Sequence, residues 1–171
     1  MSDSDRILVA YGSRHGATAE IATAIGEQLR AAGFDVEVQP AGGVRSLAGY
    51  RTVILGSAVY AGRWRADALR LLRRPELRDL DVWLFSSGPV GPDDGDPARA
   101  ERWTVPAAVR RLAADNGAHE HAVFGGMVAE DAGMIRRRLA RKLDPDLRDR
   151  RDFGEIAAWA DAIAASLAAR R

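Results

Sequence analysis

The sequence predicts an α/β fold of three layers, in which helices cover both faces of a five-stranded parallel sheet. Five short segments rich in β-branched and aromatic residues recur along the chain, and helical patterns separate them. Most of these segments are continuously apolar rather than alternating, as strands are when both faces of a parallel sheet are covered. We therefore expect a doubly wound sheet with the strand order 2-1-3-4-5.

The predicted strands are short and evenly spaced, at residues 7–10, 36–38, 52–55, 82–85 and 122–124. Between the first two strands, a helical stripe of Ile21, Ile25 and Leu29 ends at Gly33, a typical residue at a helix C-terminus.

Three further helices are predicted from apolar spacing and capping residues. Leu69 and Leu72 mark the second helix. Thr104 is expected to be the N-cap of the third helix, with Pro106 in its first turn. Asp152 is expected to begin a capping box at the last helix. The apolar face of that helix contains Ile156, Trp159, Ile163 and Leu167.

The composition excludes several classes of function. Basic and acidic residues number 25 and 24, so the chain lacks the concentrated positive charge that general nucleic-acid binding requires. It has no cysteine, which excludes disulfides, thiolate catalysis and cysteine-ligated metals. No apolar run approaches the roughly 18 residues of a membrane span. The N-terminal residues are polar, unlike those of a signal peptide, so we expect a cytoplasmic protein. The length and the lack of a linker indicate a single domain over residues 1–171.

The segment YGSRHGAT, residues 11–18, links the first predicted strand to the first predicted helix. In a doubly wound sheet this position presents backbone N–H groups and a positive helix end to a ligand. A P-loop would end in Gly-Lys-Ser/Thr and a dinucleotide fingerprint would need a third glycine, and the segment has neither. A phospho-acceptor domain would need aspartates where the sequence has Tyr11-Gly12 and Gly56-Ser57.

A terminal phosphate is the ligand class that remains. Ser13 and Thr18 can donate hydroxyl hydrogen bonds, and Gly16 lets the backbone approach a ligand closely. Arg14 and His15 add positive or dipolar character. The alternative is that the glycines only bend a strand-to-helix loop.

Two further loops are expected at the same edge of the sheet. The segment GSAVYAGRW, residues 56–64, offers Tyr60 and Trp64 to cover an aromatic ring. The segment SSGPVGPDDG, residues 86–95, leaves backbone amides and carbonyls free to address ring heteroatoms. A phosphate pocket beside two loops able to hold a ring indicates FMN as the cofactor.

These segments also resemble those of the flavodoxin-like superfamily, and within it the flavodoxin-domain group that contains menaquinone-dependent protoporphyrinogen IX dehydrogenase. The similarity lies in ILVAYGSRHGATAEIA, YRTVILGSAVYAGRW and DLRDRRDFGEIAAWADAIA, which together span nearly the whole chain. The resemblance implies a flavodoxin-like sandwich with a phosphate site at Ser13, Arg14, His15, Gly16, Ala17 and Thr18. One side of the flavin ring would be lined by Ser57, Ala58, Val59, Tyr60 and Gly62. Its other side would be lined by Ser86, Ser87, Gly88, Pro89 and Val90.

The function predicted from these features is that of an FMN-dependent oxidoreductase. It would take electrons or hydride from a small organic donor, for which the resemblance suggests protoporphyrinogen IX, and pass them to a quinone or a redox protein. The third loop lacks the ring-stacking tyrosine of electron-carrier flavodoxins, and the net charge of +1 differs from their acidic surface. Both differences argue against an ordinary flavodoxin. A non-catalytic electron carrier and a flavin-binding sensor or interaction module remain as alternatives.

Two features outside these loops are charged or titratable. Residues 134–143 are expected to form a short basic helix that either docks an acidic partner or membrane lipid, or is simply a solvated face. Its basic residues are Arg136, Arg137, Arg138, Arg141 and Lys142.

His119 and His121, at the start of the fifth strand, are expected to share a face, but no third ligand accompanies them and no metal site is predicted.

Overall fold

The computed structural model describes residues 6–88, 104–126, 149 and 151–170. These residues form a parallel sheet with helices on both of its faces, which confirms the predicted α/β architecture. Several residues singled out from the sequence lie outside the described residues: Pro89, Val90, Arg136, Arg137, Arg138, Arg141 and Lys142.

The described residues form six strands, and five of these strands form the main sheet. In chain order they are β1 (Ile7–Gly12), β2 (Val36–Pro40), β3 (Thr52–Tyr60), β4 (Arg63–Trp64), β5 (Asp81–Gly88) and β6 (Glu120–Gly125). The main sheet has the order β2-β1-β3-β5-β6, and every neighbouring pair in it is parallel. This is the predicted order, renumbered because the short strand β4 pairs antiparallel with β3.

Four α-helices lie in the described part of the chain: α1 (Ala17–Ala31), α2 (Ala66–Leu72), α3 (Ala107–Asp115) and α4 (Phe153–Ala168). Short 3₁₀ helices occur at Ala41–Gly43 and Pro75–Asp79. None of these helices is both long and apolar enough to cross a lipid bilayer.

The sheet separates two apolar cores. Because successive side chains of a strand point to opposite faces, Ile7 and Val9 contact the core under α1 and α4, whereas Leu8 and Ala10 contact the core under α2 and α3. All four are at most 1% exposed. Burial on both faces therefore explains why these strands are continuously apolar in the sequence.

One of the two predicted helix caps is present. The Asp152 carboxylate accepts hydrogen bonds from the backbone N–H groups of Gly154 (2.9 Å) and Glu155 (3.1 Å), which confirms it as the N-cap of α4. The prediction for α3 is wrong. Its N-cap is Pro106, whose ψ of 143° is extended, so the proline precedes the first turn and Thr104 does not cap the helix.

Gly56 has no side chain, and this leaves room for a buried ring from the neighbouring strand. It is paired with Phe85 of β5, and a Cβ atom placed on Gly56 would lie 2.0 Å from Phe85 Cζ. The Phe85 ring therefore lies over the bare backbone of β3. It also contacts Phe124 and Trp159, with ring centroids 6.0 Å and 6.2 Å away. This aromatic cluster joins β3, β5, β6 and α4 beneath the carboxyl edge of the sheet.

We expect Gly56→Ala to destabilise the protein by about 1–3 kcal/mol, because the new methyl group would displace a fully buried aromatic ring. Urea unfolding monitored by circular dichroism would measure the change. The matched control is Gly42→Ala, where the nearest atom to the new methyl group would be Asp67 Cβ at 3.6 Å. Equal stability of the two variants would contradict the proposed role of Phe85.

Candidate functional site

The turn between β1 and α1 is shaped to admit a ligand. Gly16 has φ of +89°, and nothing lies within 4 Å of the position that its Cβ would occupy. Ser13 Oγ accepts a hydrogen bond from the Gly16 N–H at 3.0 Å, which closes the turn. The glycine is therefore required by the left-handed backbone and leaves open space above the turn.

The first turn of α1 is available to an anion. The N-cap of α1 is Gly16, and no side chain caps this end of the helix. The first N–H groups of a helix have no partners within the helix, and they carry the positive end of its dipole. A phosphate at this position would supply the missing acceptors.

A buried hydroxyl pair joins this turn to β5. Thr18 Oγ1 and Ser87 Oγ are 2.8 Å apart, and the two residues are 1% and 2% exposed. Each hydroxyl has one proton to donate. If Ser87 donates to Thr18, the Thr18 proton is free to bond a ligand, so the pair can present a hydroxyl donor.

The second predicted loop is a β-hairpin rather than a loop. Strand β3 continues to Tyr60, the chain turns at Ala61 and Gly62, and β4 returns antiparallel to β3. Both turn residues have positive φ, 48° and 69°. Tyr60 is half-buried, and its ring meets the ring of His15 edge-on, with centroids 6.3 Å apart. The hairpin therefore places Tyr60 beside the turn of residues 11–18.

Trp64 is a core residue, whereas the sequence suggested that it covers an aromatic ring. It is 4% exposed and belongs to the core under α2 and α3. Its indole N–H donates to Ser86 Oγ at 2.8 Å. Ser57 is likewise fully buried, and its Oγ bonds the Ala58 carbonyl and accepts from the Arg65 N–H. Side chains at these positions hold the hairpin in place.

His121 completes a buried polar chain behind the hairpin. Its Nε2 lies 2.8 Å from Ser86 Oγ, and its ring meets that of Trp64 edge-on. Burial lowers the pKa of His121 from 6.5 to about 4, so the imidazole is neutral near pH 7. Its Nδ1 is buried and has no hydrogen-bond partner among the described residues. Sequence inspection did not connect His121 to the site, because its partners come from β4 and β5.

The two strand histidines do not share a face, so that prediction is wrong. His119 lies against Trp83, with ring centroids 4.4 Å apart, and bonds Asp81. Trp83 belongs to the core under α1 and α4, whereas Trp64 beside His121 belongs to the opposite core. Among the described residues, no group of three potential ligands could hold a metal ion.

Those site residues predicted from the sequence that the structure describes lie at the carboxyl edge of the sheet, where β1 ends beside Ser57 of β3. The turn 13–18 contacts β5 through Ser87 and the hairpin through Tyr60. Ala58 and Val59 are buried within β3, and Gly88 ends β5 close to Val59. Among the described residues of these three segments, the exposed positions lie in the turn, at Arg14 and Gly16, and in the hairpin, at Ala61 and Arg63.

This arrangement fits FMN. The open space over Gly16, the uncapped start of α1 and the Thr18–Ser87 pair suit the terminal phosphate. Tyr60 supplies an aromatic surface next to that position. The helices that follow β1 and β3 cover opposite faces of the sheet, and ligands of doubly wound sheets bind at such a switch point.

Comparisons with known proteins define the class. A family model described as Flavodoxin domain matches residues 8–143, so the chain belongs to this family. Flavodoxin domains bind FMN, in agreement with the cofactor expected from the sequence. A search of the curated proteins found no match.

Solved structures share the fold. Oxidised Flavodoxin 2 from Bacillus cereus is 22% identical over 97% of this chain and 99% of that chain, with a TM-score of 0.60. A Streptococcus pneumoniae flavodoxin is 19% identical over 97% and 99%, with a TM-score of 0.59. Rubredoxin oxygen:oxidoreductase from Desulfovibrio gigas is 14% identical over 96% of this chain but 36% of that chain, with a TM-score of 0.62.

The buried His121 predicts a pH-dependent stability. The pKa of His121 is about 4 in the folded protein and 6.5 when the ring is unperturbed, so the unfolded chain binds the proton more readily. The free energy of unfolding should therefore fall as pH decreases through this range. Between pH 7 and pH 5 the loss attributable to His121 is about 2 kcal/mol.

Urea unfolding at the two pH values would measure this loss, and His121→Gln should remove it. His119→Gln is the matched control, because His119 is more exposed. If the parent and His121→Gln lose equal stability between pH 7 and pH 5, His121 does not titrate as a buried neutral group.

Proposed function

We propose that this protein is an FMN-dependent redox protein that accepts electrons or hydride from an organic donor and passes them to a quinone or a redox protein. The observation that carries the proposal is the convergence of three chain segments at one edge of the sheet. The turn at Gly16 contacts β5 through the Thr18–Ser87 pair and the hairpin through the edge contact of His15 with Tyr60.

The proposed phosphate site is the turn of residues 13–18. Backbone N–H groups of the turn and the Thr18 hydroxyl would donate to the phosphate oxygens. Arg14, which is exposed, and His15, which is half-buried, would add positive or dipolar character. Residues of this site are Ser13, Arg14, His15, Gly16, Ala17 and Thr18.

The proposed ring site lies between the hairpin and the end of β5. Tyr60 would cover one face of the ring, and the backbone of the strand ends would bond its heteroatoms. The residues on the hairpin side are Ser57, Ala58, Val59, Tyr60 and Gly62, and those on the β5 side are Ser86, Ser87 and Gly88. Bound FMN supplies the redox chemistry, and the protein's residues bind it, orient it and exclude water from part of its surface.

Protoporphyrinogen IX is the specific donor suggested by the resemblance of the three sequence segments. A porphyrinogen is a large apolar macrocycle, and aromatic side chains are the usual surface for binding one. Residues 128–151 contain no aromatic residue. The donor therefore has to be identified by assay, with protoporphyrinogen IX and a menaquinone analogue as one donor–acceptor pair.

A non-catalytic electron carrier is the second candidate function. It is favoured by membership of the Flavodoxin domain family and by similarity over 99% of the length of two flavodoxins. A carrier requires docking partners. The basic segment 134–143 is our proposed contact for an acidic partner or anionic membrane, on the basis of its sequence alone.

Anaerobic reduction of the flavin-loaded protein by a panel of donors would separate the two functions. Turnover of a small donor with a quinone, without a second protein, supports the enzyme. Reduction only in the presence of a protein reductase supports the carrier. Failure of every donor and reductase to change the visible spectrum would contradict both.

The proposed phosphate site predicts a selective effect of Thr18→Ala. We expect the Kd for FMN to rise about ten- to a hundredfold, because one hydrogen bond to a charged group is lost. The Kd for riboflavin, which has no phosphate, should change little. Titration of the apoprotein with each flavin, followed by quenching of flavin fluorescence, would measure both constants.

Thr23→Ala is the matched control for this prediction. Thr23 lies one and a half turns further along α1, is exposed, and bonds the Ala19 carbonyl of its own helix. Its removal should leave both Kd values unchanged. Equal weakening of FMN and riboflavin by Thr18→Ala would indicate damage to the fold rather than loss of a phosphate contact.

A further inference from the structure

Arg65 lies at the edge of the proposed site, although no motif in the sequence marks it. It follows β4 and precedes α2. In the hairpin, Trp64 is paired with Val59, so after the turn the chain runs back along β3 toward Ser57. The Arg65 N–H then donates to Ser57 Oγ at 2.9 Å, and Ser57 is paired with Gly12 of β1. The hairpin thus brings Arg65 to the level at which β1 ends and the turn 13–18 begins.

The aliphatic stem of Arg65 lies against Gly12. A Cβ atom on Gly12 would be 2.9 Å from Arg65 Cβ and 3.0 Å from Ala68 Cβ, which is closer than two such atoms can approach. Any other residue at position 12 would push Arg65 away from the end of β1. The glycine before the turn therefore serves to admit this arginine as well as to bend the chain.

The charge of Arg65 is not neutralised by the described part of the chain. Its Nε is buried and has no hydrogen-bond partner, and its guanidinium group forms no ion pair with a described residue. The neighbouring Asp67 carboxylate instead accepts from the Ala68 N–H at 2.9 Å. A buried N–H of a charged group is costly when it has no acceptor. Arg65 as a whole is only half-buried, and an anion at this edge would supply acceptors to its guanidinium group.

We propose that Arg65 donates to the phosphate of FMN from the face of the sheet opposite α1. This inference rests on the proposed function. The phosphate is the charged group of oxidised FMN, and a guanidinium fork matches its oxygens better than a single ammonium does. Tyr60, which marks the ring site, lies at the hairpin tip, whereas Arg65 lies at the base of the hairpin beside the phosphate turn.

Titration of the apoprotein with FMN and with riboflavin tests this assignment. Arg65→Gln should raise the Kd for FMN about ten- to a hundredfold and leave the Kd for riboflavin within about twofold of the parent value. Arg65→Lys, which keeps the charge but not the fork, should give an intermediate Kd for FMN. Arg63→Gln is the matched control, because Arg63 is an exposed arginine of the same hairpin, and its Kd for FMN should rise less than about threefold.

The outcomes distinguish this inference from the proposed function. If the parent prefers FMN to riboflavin and Arg65→Gln keeps that preference in full, only the role of Arg65 is overturned. Equal weakening of both flavins overturns it as well, because a phosphate contact cannot affect riboflavin. If the parent binds neither flavin, the proposed function fails and the inference fails with it. The thermal midpoint of each apoprotein, measured first, shows whether Arg65→Gln folds, and Arg65→Lys replaces it if it does not.

Discussion

The proposed site depends on one feature of the fold: the helices that follow the neighbouring strands β1 and β3 lie on opposite faces of the sheet. The connection after β1 runs to α1 on one face of the sheet, and the connection after β3 runs to α2 on the other. The two connections diverge where the strands lie side by side, so a crevice opens between them at the carboxyl edge. The described residues of the proposed site lie on these connections, in the last part of β3 or at the adjoining end of β5.

The polar groups beneath this crevice belong to the core of the fold. Thr18, Ser57, Ser86 and Ser87 are each at most 2% exposed, and each has a hydrogen-bond partner from another segment or its own strand. Buried polar groups that are satisfied in this way rigidify their surroundings. The turn and the hairpin are therefore held in position by the protein itself.

The features of the fold that depend on local sequence patterns could be predicted from the sequence. The buried strands, the turn around Gly16 and the cap at Asp152 follow from residues close together in the chain. The strand order follows from the alternation of strands and helices in a doubly wound fold. The hairpin was missed because Gly56 resembles a loop residue, yet its absent side chain is required by a ring from β5. The core position of Trp64 and the environments of Arg65 and His121 depend on contacts between distant segments, which a single sequence does not reveal.

The identity of the flavin that the purified protein carries tests the central claim most directly. The purified protein is denatured, and the mass and amount of the released flavin are measured. If it is purified without flavin, the apoprotein is first incubated with a mixture of flavins and then treated in the same way. A crevice built around a terminal phosphate at Gly16 predicts FMN at one equivalent per chain. Release of FAD or riboflavin, or of no flavin at all, would show that the turn between β1 and α1 does not bind this phosphate.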